Sequence, residues 1–211
     1  MTKKILISLF ISIILSSCVK ERDLTQNTVI AHILSQPDGL HPYNNNSVMR
    51  SYVFSYTQKT LLGLDLKSLD YIPDLLKELP KSSDDNKTFY FELKDNIRWD
   101  DGSLLTAKDI AFSTKITLCH LTDNSQIRPN YTSVIKSVEL DSENPLKFSM
   151  RALDINWTAK TILGGIYIQQ KSFWDPEGIL DNISFKQILS RNFEETDEIT
   201  DWFNKFNHAD N

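Results

Sequence analysis

The residue types able to do chemistry in this 211-residue chain are two cysteines, four histidines and several adjacent acid pairs. Their spacing decides what each can do. Cys18 follows Lys3 and Lys4, an apolar run over 5–15 that Ser8 and Ser12 interrupt, and then Leu15-Ser16-Ser17. A charged start, a short apolar run and small residues are the layout of a secretory signal peptide. The run falls short of the ~20 apolar residues that a bilayer-spanning helix needs. The segment therefore reads as a signal peptide that is removed. His32, His41, His120 and His208 are scattered, with no H-x-x-x-H or C-x-x-C spacing, so no metal set and no resident cofactor is expected. His32 falls in an expected strand and reads as a structural histidine. Asp84-Asp85, Asp100-Asp101 and Glu194-Glu195 sit in turns or polar runs, where solvated surface accounts for them. With no G-x-S-x-G and no phosphate loop, the chain is not expected to be an enzyme.

Leu15-Ser16-Ser17-Cys18 resembles a bacterial lipobox. That resemblance implies diacylglycerol on the Cys18 sulfur, cleavage before Cys18 and acylation of the new amino terminus, with palmitate as a typical chain. Two or more acyl chains hold a protein stably where one does not. The expected location is the cell envelope, lipid-anchored to a membrane and facing the periplasm or the cell exterior. Loss of residues 1–17 leaves 194 residues and, with Lys3 and Lys4 gone, takes the formal charge from −5 to −7. An acidic exported chain without a basic stripe is a poor nucleic-acid ligand. Aromatics at 10% are too many for a disordered chain. With Cys18 acylated, Cys119 has no disulfide partner, and it is expected as a buried thiol at the end of a helix over 106–119.

The elements that must position a site follow from pattern. Residues 18–27 are polar and aperiodic, a flexible tether. Residues 29–34 form an apolar run before Gln36-Pro37-Asp38-Gly39, expected as a buried strand. Ser47 can cap a helix carrying Met49, Tyr52, Val53 and Tyr56 at helical spacing. A short strand over 62–66 precedes a proline-led helix over 74–79. Phe89, Phe91 and Leu93 alternate along a strand, and Asp100-Asp101-Gly102 turns the chain. Thr106 and Asp109 mark a capped helix start. Strands over 134–140 and 146–150 flank a connection through Asp141 and Pro145. A helix over 157–163 stops at Gly164-Gly165 and a strand is expected over 166–168. Two helical patterns follow, Phe185 with Ile188 and Leu189, then Trp202, Phe203 and Phe206.

The middle of the chain reads Ile72-Pro73-Asp74-Leu75-Leu76, then Asn86-Lys87-Thr88-Phe89-Tyr90-Phe91-Glu92-Leu93-Lys94, then Ile97-Arg98-Trp99-Asp100-Asp101-Gly102 running through Thr106-Ala107-Lys108-Asp109 to Phe112-Ser113. This ordered set closely resembles the N-terminal part of the peptide/nickel/oligopeptide class of solute-binding proteins of ABC transporters. The resemblance spans roughly 28–180, with Gly39-Leu40-His41-Pro42 where that family has a Leu-Asp-Pro-like turn. Most of these residues make turns, caps and core, so they are a folding signature.

The resemblance implies an α/β fold, the first lobe of a two-lobed class II periplasmic-binding-protein-like architecture. It implies a lobe over 28–211, with a smaller subdomain over about 58–165. It also implies an extracytoplasmic solute-binding lipoprotein of an ABC importer, taking peptides and delivering them to permease subunits. The loop Asn45, Asn46, Ser47 and Val48 is the expected contribution to the ligand cleft, with Tyr131 a further ligand-binding candidate. An ordinary Asn-rich loop with a helix cap, and a core or hairpin-edge tyrosine, are the competing readings of these positions. Family chains run on from the region of Trp202 and Phe203 toward a glycine-rich segment and a second lobe. A fragment, a split gene product or a non-transporting remnant that keeps only the first lobe is therefore expected.

Overall fold

A computed structural model describes residues 32–43, 48–190, 193 and 196–208. Cys18, the signal peptide, the tether, most of the expected first strand, and Asn45, Asn46 and Ser47 lie outside the described residues. Among the described residues, no helix is long and apolar enough to cross a membrane.

A four-stranded antiparallel sheet is the frame, in the order β3 (Lys81–Ser82), β4 (Thr88–Glu92), β6 (Lys147–Ala152), β5 (Ile135–Leu140). Alternation builds it. In β6 Phe148, Met150 and Ala152 are buried while their neighbours face outward, the period-two pattern of a sheet with one covered face. Phe89 pairs with Met150, and Phe91 with Phe148. The Phe91 and Phe148 rings stack with centroids 5.0 Å apart, an inter-strand contact that adds to the burial of each ring. The β5–β6 connection is held by Asp141, whose Oδ1 accepts the N–H groups of Glu143 (2.9 Å) and Asn144 (2.8 Å).

Helix α2 (Ala107–Leu118) packs on this sheet and buries Ile110, Phe112, Ile116 and Leu118. Its start is carried by Asp109, as the Thr106/Asp109 spacing predicts. Asp109 Oδ2 accepts the Thr106 backbone N–H at 2.8 Å. Its other oxygen takes the Lys171 N–H at 2.8 Å, so one buried carboxylate caps a helix and ties down a distant segment. Cys119 is fully buried, as expected. Gly102, at φ 83°, makes the turn after Asp101, a conformation glycine adopts without penalty.

The remaining helices are α1 (Val48–Thr57), α3 (Arg128–Thr132), α4 (Ala159–Gly164), α5 (Lys171–Trp174), α6 (Phe185–Ile188) and α7 (Asp197–Asn207), with a 3-10 turn over Ile179–Asn182. A separate hairpin pairs β1 (Leu62–Leu64) with β2 (Tyr71–Pro73). Asp175 is buried and accepts the N–H groups of Ile179 (2.8 Å) and Leu180 (3.0 Å), which fixes the 3-10 turn.

Several expectations fail for identifiable reasons. No helix forms over 74–79. Leu76 bridges Leu93, and the backbone is paired with its neighbours through Lys77 N–H to Glu92 O and Lys94 N–H to Leu75 O, both 2.9 Å. Sheet-like pairing that buries Leu75 and Leu76 overrides the proline-led helix signal. Residues 166–168 form no strand; Ile168 spends its N–H on Lys59 O. His32, Ile33 and Leu34 are exposed and not in a strand, because an apolar run makes a strand only where another strand pairs with it. His32 is accordingly not a buried structural histidine. In α1 the buried residue is Phe54, while Tyr52 and Tyr56 are exposed and meet edge to face at 5.6 Å.

Candidate functional site

Buried polar groups gather where residues 41–43 meet α1 through Arg50 and α2 through Thr117. Proline at 42 leads into a turn, and behind it His41 is wholly buried among Trp174 and Phe206, at ring separations of 5.7 and 4.9 Å. Its Nδ1 accepts the Tyr43 N–H at 3.2 Å. Burial lowers the His41 pKa below its usual 6.5, against the opposing pull of a hydrogen bond with the Phe206 backbone, so the ring is neutral in the fold.

Tyr43 lies 3.0 Å from Thr117 Oγ1 through its hydroxyl. Thr117 gives its own proton to Ser113 O at 2.7 Å, so Tyr43 is the donor. Burial pushes the Tyr43 phenol far above the ordinary tyrosine range. The same face of α2 continues through Ser113, whose Oγ donates to Asp109 O (2.6 Å) and accepts the Gln169 N–H (2.8 Å). A polar seam thus runs along an otherwise apolar helix.

Arg50 projects from the first turn of α1. Its Nη1 donates to His41 O (2.9 Å) and Pro42 O (3.1 Å), and its guanidinium carbon stands 5.2 Å from the Phe54 ring centre. Burial lowers its pKa, with Tyr167 acting the other way. Arg50 is the one charged side chain on α1. Tyr131 sits in α3, not on a strand edge, and donates its hydroxyl to Gly165 O at 3.3 Å. Burial raises its pKa, and Tyr167 adds to the rise; Tyr131 in turn raises that of Tyr43. The Tyr43 and Tyr131 hydroxyls are thus each committed to a neighbour, Thr117 and Gly165, and Arg50 is held at the 41–42 turn.

Of the sequence-predicted site residues, Tyr131 packs against the core with its hydroxyl on Gly165 O. Val48 opens α1 two residues before Arg50 and is 75% exposed. Asn45, Asn46 and Ser47 lie outside the described residues. Sequence reasoning missed Tyr43, Tyr167 and Arg50. The signal for Arg50 was present, since a single charge in the neutral run VMRSYVFSYT invites a specific partner. These residues carry hydroxyls, main-chain carbonyls and one cation. Among the described residues no cluster of three His, Cys, Asp or Glu side chains is placed to hold a metal ion.

Residues 70–153, from β2 through β6, match the family model described as bacterial extracellular solute-binding proteins, family 5 Middle. The chain resembles family 5 solute-binding proteins. The segment includes the Asp101-Gly102 turn, the capped helix α2 and the β5–β6 hairpin, the elements that carried the resemblance in the sequence. Solved structures agree at the level of fold. The pheromone receptor PrgZ, a structure describing its mode of peptide binding, aligns at 18% identity and a TM-score of 0.56 over 69% of this chain and 31% of its own. The oligopeptide-binding protein AppA from Bacillus subtilis, in complex with a nonapeptide, aligns at 19% identity and 0.52 over 70% and 27%. A periplasmic oligopeptide-binding protein, OppAIV from Borrelia burgdorferi, aligns at 21% and 0.54 over 69% and 33%. The chain thus has the mixed α/β fold of substrate-binding proteins over about two thirds of its length, and it spans about three tenths of the length of these structures. No curated protein matches the chain.

Proposed function

We propose that the chain belongs to an extracytoplasmic solute receptor of an ABC importer, takes peptides as its solute, and hands them to permease subunits without covalent chemistry. The observation that carries this reading is the family 5 match over 70–153, supported by the fold shared with peptide-binding structures. Peptide backbones are recognised by strand-like main-chain pairing and by wet, roomy side-chain pockets. Arg50, fixed by the His41 and Pro42 carbonyls, suits such a role, since a fixed cation orients a zwitterionic chain without demanding one side-chain type. In this reading Asn45, Asn46, Ser47 and Val48 supply main-chain and amide contacts from the loop that leads into α1, and Tyr131 closes one side. Residues 28–211 act as the first lobe, with 58–165 as its subdomain. Cys18 carries the lipid that anchors the protein to a membrane, facing the periplasm or the cell exterior.

The test is calorimetric titration of the full chain with pooled peptides of two to nine residues, the upper size taken from the nonapeptide complex. The expected result is saturable heat that disappears when the pool is replaced by free amino acids. Heat from neither ligand set would contradict peptide capture by this chain.

A further inference from the structure

We propose that His41 is an acid-sensitive latch: with its ring neutral it holds the 41–43 turn and α1 against the body of the fold, and one added proton frees them. The imidazole is fully buried. Aromatic rings box it in, with Trp174 of α5 at 5.7 Å, Phe206 of α7 at 4.9 Å and Tyr43 at 6.4 Å between centroids. Its Nδ1 accepts the Tyr43 N–H at 3.2 Å, so the neutral ring carries its proton on Nε2. The Phe206 backbone is a further hydrogen-bond partner of the ring.

A second proton has no place in this arrangement. It would sit on Nδ1 and meet the Tyr43 N–H, donor against donor. The resulting cation would be shut away from water, where a charge is strongly disfavoured. Two charged groups act on the ring: Arg50 from α1 opposes the proton, and Asp123, ahead of α3, favours it. From α5 and α7 the ring meets Trp174 and Phe206, which do not titrate. Its own segment supplies Tyr43, whose hydroxyl is committed to Thr117 of α2. A protonated ring is therefore accommodated only by leaving the box for water.

The element that follows is α1. Its Arg50 donates to the His41 and Pro42 carbonyls at 2.9 and 3.1 Å, so turn and helix move as a unit. Of the ten residues of α1 only Phe54 is buried, and elements that bury little apolar surface open first. Just past α1 the chain is pinned: Gln169 Nε2 donates to Gln58 Oε1 at 3.2 Å, and the Ile168 N–H to Lys59 O at 3.3 Å. By contrast α7 buries Trp202, Phe203 and Phe206. Protonation thus swings the turn and α1 outward about residue 58 and leaves α7 seated. The latch does not require that the chain capture peptides, and it is tested without them.

Hydrogen exchange of the full chain, read by mass spectrometry and corrected for the intrinsic effect of pH, is followed from about pH 7.5 to about pH 4.5. Below 6.5, the ordinary histidine value, each opening takes up one proton. The opening constant of peptides spanning 41–57 is therefore expected to rise about tenfold per pH unit until the ring titrates in the closed state. Strands β4 and β6 are expected to keep their protection over the same range. His41→Asn keeps an acceptor for the Tyr43 N–H, as in an Asx turn, but takes up no proton, so its 41–57 exchange should lose the pH dependence. His41→Phe, which keeps a ring in the aromatic box, is the second variant and should lose it too. The wild-type profile is decisive even where a variant does not fold. A flat opening constant in the wild-type chain, loss of β4 and β6 protection together with 41–57, or an unchanged pH slope in a folded variant would overturn the proposal.

Discussion

Asp109 shows how much one side chain settles in this fold. Its carboxylate takes the N–H of Thr106 at the start of α2 and the N–H of Lys171 far along the chain. Asp109→Ala is expected to leave both donors unpaired and to cost about 1–3 kcal/mol for each in chemical denaturation, whereas Asp109→Asn retains one acceptor oxygen and costs less. His41 gives a pH prediction. Its folded pKa lies below the unfolded 6.5, so between the two values the unfolded chain binds more protons. Its contribution to stability is present above 6.5 and is lost as pH falls through the lower, folded value. Denaturation midpoints should therefore fall on acidification below 6.5, and a His41→Phe chain should lose that part of the slope. An unchanged slope in the variant would show that the buried imidazole is not its source. Gly164 is a third case. The sequence suggests a helix breaker, yet Gly164 lies within α4, and a Cβ there would run into the Leu62 side chain. Gly164→Ala is expected to destabilise by about 1–3 kcal/mol through overpacking, measured as a lowered melting temperature.

Elements were legible where two independent signals agreed. The β4 strand had alternation and aromatic composition, α2 had a cap and apolar spacing, and the β5–β6 hairpin had two β-rich runs around an Asp-Pro connection. Each is present within a residue or two of its expected bounds. Elements defined by one signal were legible in part: apolar spacing alone located α6 and α7, and the run over 62–66 became β1, but two others failed. The helix over 74–79 rested on Pro73 alone, and long-range pairing with Glu92 and Leu93 decided its conformation. The strand over 166–168 rested on Ile166 and Ile168, whose burial comes from packing rather than from a ladder. Tyr43 and Thr117, 74 positions apart in the chain, meet only through the fold. The stacked pair Phe91–Phe148 joins the two central strands of the sheet, so Phe91→Ala should cost about 3–5 kcal/mol. A loss under 1 kcal/mol would mean that the β4–β6 contact is not central to the core.

At the scale of the whole molecule, the proposed lipid tether at Cys18 precedes a segment, residues 70–153, that matches the family 5 solute-binding model. Cys18→Ser is expected to move the protein from the membrane fraction to the soluble extracytoplasmic fraction and to remove labelling by palmitate. Retention in the membrane with the serine present would contradict lipid anchoring at that position. Peptide capture by this chain, as proposed, is non-covalent. Native mass spectrometry of the protein extracted from its own membrane is the direct test. Chain masses are expected with releasable peptides that disappear on mild activation while the lipid mass on the amino-terminal cysteine stays. Protein free of any releasable peptide, and unchanged when peptides are added back, would contradict it.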